Sequence, residues 1–276
     1  LNYALIFGNW GAPELGIRGA AIASLTVQLI TAVVLLVISA RARPDHHLLI
    51  RFWKPDWRGF GEVFRLGWPI GLTSLAEAGL FSAASVMMGW LGTLQLAAHG
   101  IALQVVATIF MIQIGLSQAA TVRAGRALGR RDEAGLRRSG LVAIGLSASV
   151  AVFTVLLLII FPGALVSLFI DPSDPARDAV LAIGITLLAA GAVFQLADAA
   201  QVMALGLLRG VQDTRAPMIM AIVSYWVVGL PVSYVLGFPM GLGGVGIWLG
   251  LASGLALAAI LMMTRFWNRS VRIASA

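Results

Sequence analysis

Two carboxylates are isolated in otherwise apolar stretches of the chain. Glu77 is the only Asp, Glu, Lys or Arg within residues 66–122, and Asp198 is the only one within 179–208. A bare charge at the centre of a bilayer costs about 2.5 to 3.5 kcal/mol on insertion scales, so such residues usually face a cavity, a partner or a transported ion. A carboxylate can bind a cation or a proton, and two of them can act as a general acid and base. We therefore expect the function to depend on these two acids.

The composition is typical of an integral membrane protein. Of the 276 residues, 59% are hydrophobic and 11% are charged, whereas about a quarter are charged in soluble domains. The absence of cysteine excludes a thiolate nucleophile or thiolate metal site. The net charge is +7, and the basic residues that produce it lie at the ends of apolar segments. The sequence therefore favours membrane lipids over nucleic acid as the partner.

The apolar segments predict an all-α polytopic protein with seven full transmembrane helices, preceded by a truncated one that ends near Trp10. Each full segment is long enough for a helix of about 20 residues to cross the hydrocarbon. The predicted spans are 17–40, 62–90, 94–122, 138–161, 178–208, 214–237 and 242–265.

The basic residues predict the orientation of these helices. If successive connections alternate between the two sides, 17 of the 19 basic residues lie on one side. The positive-inside rule makes that side, with the C-terminus, cytoplasmic. Arginine greatly outnumbers lysine, which favours a bacterial source, so we expect a multi-pass protein of the bacterial inner membrane.

The two ends of the chain carry an internal repeat. The sequence NYALIF followed by LGIRGAAI matches SYVLGF followed by LGGVGIWL, which pairs Tyr3 with Tyr234 and Leu15 with Leu242. Repeats are a common construction in transporters, and the period here implies that roughly 170 residues of a first lobe precede this sequence. We expect that missing N-terminal lobe to be a partner of this one within the same chain.

The domain prediction follows from this repeat. Residues 1–40 are expected to be the end of the N-terminal lobe, with its last two helices, and 41–61 a cytoplasmic linker. Residues 62–270 are expected to form a C-terminal lobe of six helices, and 271–276 a cytoplasmic tail.

Three segments of the sequence resemble the multidrug and toxic compound extrusion (MATE) family, in particular its bacterial NorM-like branch. They are LNYALIFG at 1–8, LGWPIGLTSLAEAGLFSAASVMMGWLGTLQLAAHGIALQ at 66–104 and FQLADAAQVMALGLLRGVQDTRAP at 194–217. The resemblance implies the second lobe of a two-lobe, twelve-helix transporter rather than an enzyme. It also implies an antiporter that exports drugs, other organic cations or amphipathic compounds against a sodium or proton flow, with no cofactor besides that ion.

The resemblance also assigns the two acids to a cation site. In the NorM-like branch the second-lobe site uses an acid on the seventh helix and one on the tenth, which match Glu77 and Asp198. Family members often have Tyr four residues before the second acid, whereas this chain has Phe194, so the third ligand of a bound sodium ion is not assigned.

Helix geometry independently places the two acids at one depth. Glu77 follows Arg65 by twelve residues and Asp198 precedes Arg209 by eleven, so each lies about 16 to 18 Å from the inner interface at 1.5 Å per residue. This is close to the middle of the membrane, where the two acids could share one cation.

Several polar or aromatic residues are candidates for cavity or substrate contacts, although packing explains each equally well: Gln195, Gln201, Gln104 and Phe194. For His99, a packing role is favoured over proton relay. Buried acids can also be purely structural. The alternative functions are a lipid-linked saccharide flippase of the same superfamily and, less favoured, a membrane-embedded hydrolase.

Overall fold

The computed structural model of this protein describes residues 1–11, 13–42, 55–173 and 175–272. The chain divides into two compact units, Leu1–Phe60 and Gly61–Ala276. Most of the predicted linker and tail, residues 43–54 and 273–276, lies outside the described residues.

All regular structure in the described ranges is helical. The first unit contains α1 (Asn2–Phe7), a 3-10 turn (Asn9–Gly11) and α2 (Gly16–Ala42); α3 (Trp57–Leu91) begins just before the second unit. The other helices are α4 (Thr93–Gly129), α5 (Glu133–Ile160), α6 (Pro162–Ser167), α7 (Arg177–Gly210), α8 (Arg215–Ile222), α9 (Leu230–Gly237) and α10 (Gly243–Arg265). Two π-helical stretches, Val223–Gly229 and Phe266–Ser270, follow α8 and α10.

Seven helices in the part of the chain that the structure describes are long and apolar enough to cross a membrane. This confirms the predicted number of spans. Helices α8 and α9 form one of these spans together with the π-helical stretch between them, hereafter called the π segment (Val223–Gly229).

Two helices begin earlier than the predicted spans, and a side chain caps each of them. Asp56 Oδ1 accepts hydrogen bonds from the backbone N–H groups of Arg58 and Gly59 at 3.1 and 3.0 Å, so α3 begins five residues earlier than predicted. The Asp132 side chain caps α5 in the same way, accepting from Gly135 N at 2.7 Å. Such caps supply partners for the first N–H groups of a helix, which have none within it.

The internal repeat appears as two corners with the same hydrogen bond. In the first corner, Leu15 N donates to Leu5 O at 3.0 Å, and in the second, Leu242 N donates to Leu236 O at 3.1 Å. The four residues are those that the sequence comparison pairs. An aromatic pair four residues apart precedes each corner: Tyr3 with Phe7, and Tyr234 with Phe238.

Matched glycines close both corners. Gly16 and Gly243 have φ angles of 52° and 56°, in the left-handed region that glycine adopts at least cost. Gly19 and Gly246 lie against the backbone of Leu5 and Leu236, where a Cβ atom would overlap it. The repeat therefore fixes backbone geometry at both ends of the chain.

Helix α7 is the central helix of the second unit and packs on α4, α5 and α10. Ser117 Oγ on α4 donates to Val202 O at 2.8 Å, and Thr121 Oγ1 donates to Gly206 O at 2.8 Å. A Cβ atom on Gly210 would lie 2.6 Å from Thr121 O. Small residues and interhelical hydrogen bonds of this kind hold helices together in lipid, where apolar burial adds little.

Candidate functional site

The structure brings the two isolated acids together. Asp198 on α7 is 3% exposed, and Glu77 on α3 is half-buried. Their carboxylates are close enough to interact electrostatically. This is the arrangement that their depth along the helices predicts.

Arg209 supplies a positive charge to the same region. Its guanidinium interacts with the charge of Glu77, and its Nε is buried without a hydrogen-bond partner among the described residues. Asp198 and Arg209 are about 16 Å apart along α7, and Glu77 interacts with the charges of both. The sequence predicts Arg209 only as a cation at a helix end, although Arg209 lies in the segment 194–217 that resembles the family.

The π segment adds two buried hydroxyl groups, which no motif in the sequence predicts. Tyr225 is fully buried and lies within electrostatic range of Glu77, Asp198 and Arg209. Its Oη and the Oγ of the adjacent buried Ser224 have no hydrogen-bond partner in the described part of the chain. Inserted π turns are frequent at functional sites, but this one has no signature in the sequence.

A hydrogen bond attaches the π segment to the helix that carries Glu77. Trp226 Nε1 donates to the carbonyl oxygen of Ala76 at 3.2 Å. The Trp226 ring also lies against Gly79, where a Cβ atom would approach ring carbon Cζ2 to 2.7 Å. The π segment thus contacts α3 at Ala76 and Gly79, one on each side of Glu77.

Two glutamines flank Asp198 on α7. Gln195 and Gln201, three residues before and three after it, are both fully buried. Their side-chain amides have no hydrogen-bond partner within the described residues, and neither does Asp198 Oδ1. We call the whole set the polar cluster: Glu77, Gln195, Asp198, Gln201, Arg209, Ser224 and Tyr225.

The polar cluster is rich in oxygen atoms from carboxylate, amide and hydroxyl groups. Hard cations prefer such ligands, and each carboxylate can alternatively take a proton. Unpaired buried polar atoms cost roughly 1 to 3 kcal/mol each. The polar cluster therefore offers oxygen atoms to which a sodium ion could bind and two carboxylates that could take a proton.

Phe194 lies in an aromatic layer rather than in the polar cluster. Its ring packs edge-to-face on Phe81 and Trp248, with centroids 5.8 and 5.4 Å apart. Trp248 Nε1 in turn donates to His99 Nδ1 at 3.1 Å, and His99 Nε2 is 3.2 Å from Ser85 Oγ. Because an indole N–H only donates, Nδ1 accepts and Nε2 carries the proton, which satisfies both ring nitrogens and agrees with a packing role for His99.

Gln104 lies apart from the polar cluster. It is exposed on α4, in one helical stripe with Thr108 and Gln118. Gln113, by contrast, is buried and exchanges hydrogen bonds with Ser147 of α5, at 2.7 and 3.1 Å. Of the four predicted contact residues, the structure thus places Gln195 and Gln201 beside Asp198, Phe194 in the aromatic layer and Gln104 on an exposed face.

Comparison with known proteins identifies the family. Residues 69–235 match the MatE family, which is more than half of the chain. The chain belongs to the MatE family.

Two bacterial proteins show how similar this MatE chain is to its relatives. It is 45% identical over its whole length to a probable multidrug resistance protein NorM of Rhizobium meliloti, covering 60% of that protein. It is 41% identical, over 96% of its length, to a multidrug resistance protein NorM of Burkholderia vietnamiensis, covering 57% of that protein. The MatE chain thus spans about 60% of the length of these relatives.

Solved structures show the same fold. The eukaryotic MATE transporter AtDTX14 superposes with a TM-score of 0.85 over 99% of this MatE chain and 60% of the other, at 21% identity. Family membership confirms that the chain is a transporter-family membrane protein and not an enzyme, so the hydrolase alternative is excluded.

Proposed function

We propose that this MatE chain supplies the cation-coupled lobe of an antiporter that exports drugs and other organic cations or amphipathic compounds across a bacterial inner membrane. The observation that carries the proposal is the polar cluster, in which Glu77 and Asp198 interact and several buried oxygen atoms have no partner among the described residues. The relatives named as multidrug resistance proteins support drugs as the substrate class.

The charges of the polar cluster favour one monovalent cation. Glu77 and Asp198 carry two negative charges when ionised, and Arg209 carries one positive charge, which leaves a formal charge of −1. Burial disfavours any net charge in an apolar setting. A single sodium ion or proton would bring the cluster to neutrality, which a divalent ion would not.

Tyr225 and Ser224 supply the oxygen ligands that Phe194 lacks. Phe194 packs on Phe81 and Trp248, whereas the hydroxyl oxygens of Tyr225 and Ser224 are buried and unpaired among the described residues. We infer that the π segment takes over the role of the tyrosine that family members often carry at the position of Phe194.

Cation occupancy would drive transport by favouring one conformation of the lobe. An ion shifts a conformational equilibrium only by its difference in affinity for the two states. The oxygen atoms of Glu77, Asp198 and Tyr225 would be spaced to suit the ion in one state of the lobe and less well in the other. The exposed face of α4 that carries Gln104, Thr108 and Met111 would then line the drug cavity with both polar and apolar groups, whereas the exposed residues Leu146 and Phe153 of α5 suit lipid.

Transport by the full-length protein in vesicles tests the two acids. Glu77→Gln and Asp198→Asn should each abolish drug export driven by a sodium or proton gradient and leave membrane insertion intact. Asp178→Asn is the matched control, because Asp178 lies at the far, exposed end of the same helix. Wild-type export by both single acid variants would refute the site.

Sodium binding tests the hydroxyl ligands separately. Loss of one hydrogen-bonding ligand costs about 1 to 1.5 kcal/mol, so Tyr225→Phe should weaken sodium binding roughly 5- to 12-fold if sodium is the coupling ion. Ser85→Ala is the control, since the Ser85 hydroxyl belongs to the aromatic layer. Unchanged sodium affinity in Tyr225→Phe, with export in the wild type still dependent on sodium, would exclude Tyr225 as a ligand.

A further inference from the structure

A concave basic pocket lies where α4 ends and α5 begins. It has a volume of about 650 Å³. Arg123 and Arg126 line it from α4, Arg130 lines it from the residue that caps the end of α4, and Arg138 lines it from α5. The first three are at positions i, i+3 and i+7, which lie on one side of the helix end. Four arginines from two neighbouring helix ends therefore line one pocket.

The positive charge of this pocket is not balanced by the acids around it. Asp132 is the one acid among the residues that line the pocket, and its carboxylate caps α5 through Gly135 N at 2.7 Å. Glu133 is paired instead with Arg137, at 3.0 Å. Within residues 55–173 and 175–272 no ion pair involves any of the four lining arginines. Four cations thus face one carboxylate, so the pocket suits an anion.

An apolar track leads away from the pocket along α5. Val142 forms part of the pocket wall and is 62% exposed. Leu146 and Phe153, four and eleven residues further along the same helical face, are also exposed. From Val142 to Phe153 the helix rises about 16 Å, which is close to half of the roughly 30 Å hydrocarbon thickness. The track therefore spans about one leaflet.

We propose that this pocket binds the phosphate of an anionic phospholipid, whose acyl chain lies along Val142, Leu146 and Phe153. Basic pockets between membrane helices are suited to anionic head groups, and guanidinium groups bind phosphate oxygens in pairs. A soluble anion would use the arginines but not the apolar track. The site is independent of the polar cluster, because none of its residues belongs to that cluster.

Fluorescence quenching tests this proposal in the full-length protein. A single cysteine, Leu141→Cys, is introduced into a cysteine-free background, labelled with a fluorophore and placed in nanodiscs. Leu141 is exposed and adjoins Val142, but it does not line the pocket. Phosphatidylglycerol with a nitroxide on its acyl chain should quench the label at a lower lipid fraction than phosphatidylcholine with the same nitroxide.

A charge-matched pair of variants separates the pocket from general surface attraction. A basic residue near an anionic surface contributes about 1 kcal/mol, or roughly fivefold in affinity. Arg126→Gln should therefore reduce the preference for phosphatidylglycerol about fivefold. Arg137→Gln also removes one positive charge, from the start of α5. Because Arg137 is paired with Glu133 outside the pocket, the preference for phosphatidylglycerol should change little.

Three results would overturn the proposal. One is equal quenching by the two lipids in the wild type, and another is an equal loss in Arg126→Gln and Arg137→Gln. The third is recovery of fluorescence on adding millimolar inorganic phosphate, which would show that the pocket takes a free anion. Persistence of the preference in phosphate, with loss only in Arg126→Gln, would support the lipid.

Discussion

Replacing Trp248 with Phe should destabilise the second unit by about 2 to 4 kcal/mol. Trp248 is fully buried, and its Nε1 donates to His99 Nδ1 at 3.1 Å. Loss of the donor leaves the buried acceptor His99 Nδ1 unpaired, which costs about 1 to 3 kcal/mol, and the cavity left by the smaller ring costs about 1 kcal/mol more. Phe retains a ring against Phe194, so the aromatic contribution should change little.

The assay is the free energy of unfolding of the full-length protein in bicelles, with Trp226→Phe as the matched control. Trp226 also loses an indole hydrogen bond, in this case to Ala76 O at 3.2 Å. Ala76 lies inside α3, where its carbonyl keeps its helical partner. The control should therefore cost only about 1 kcal/mol.

A double-mutant cycle with His99→Leu isolates the interaction between His99 and Trp248. The double variant should lose less than the sum of the single costs, because the bond is removed only once. The nitrogen resonances of His99 should also show the tautomer with its proton on Nε2 in the wild type, and a mixture in Trp248→Phe. The reasoning fails if Trp248→Phe costs no more than Trp226→Phe, or if the two single costs simply add.

Three further predictions concern topology, packing and completeness. Cysteines introduced at Gly129 and Ser173 should react with impermeant reagents from opposite sides of the membrane, as the positive-inside rule requires; labelling of both from outside would contradict the orientation. Gly254→Val should impair folding or cation-driven export, because the new Cβ atom would lie 2.8 Å from Gly229 Cα. The control Gly115→Val should impair neither, because a Cβ atom there meets nothing within 4 Å. Equal effects of the two substitutions would exclude close packing as the cause. This chain expressed alone should insert but not export drugs, since it covers about 60% of its relatives; robust export in vesicles would show that no further lobe is needed.

The sequence predicted those features that depend on long apolar runs and on residue counting along a helix. The seven spans follow from hydropathy, and the meeting of Glu77 and Asp198 follows from equal distances to the helix ends. The repeat was predictable because its glycines have backbone geometries that few other residues adopt. In each case the signal is local or has a fixed period.

The π segment could not be predicted in this way. Its sequence, VSYWVVG, has the composition of any apolar span, and the extra residue in its turn changes no hydrophobic pattern. What decides its position lies far away in the sequence: Gly254 of α10 approaches Gly229, and Trp226 bonds to Ala76 of α3. Tyr225 was missed as a member of the site for the same reason.

Arg209 shows a different limit of sequence reasoning. The positive-inside rule assigns a cation to one side of the membrane, but it does not say where a long side chain points. In the structure the Arg209 guanidinium is partly buried and interacts with Glu77. A residue counted as a marker of the cytoplasmic surface is thus also the charge that balances one of the two acids.

The polar cluster is stable in an apolar bundle because close helix packing surrounds it. Gly210, next to Arg209, lies against Thr121 of α4, and Gly229, four residues after Tyr225, lies against Gly254 of α10. Such contacts supply van der Waals attraction, the main force between helices in lipid, and offset the cost of unpaired polar atoms. They also leave little room for the helices to separate independently. A change in cation occupancy would therefore move α7 and the π segment together with the helices packed against them, which is how a small ion could change the shape of a whole lobe.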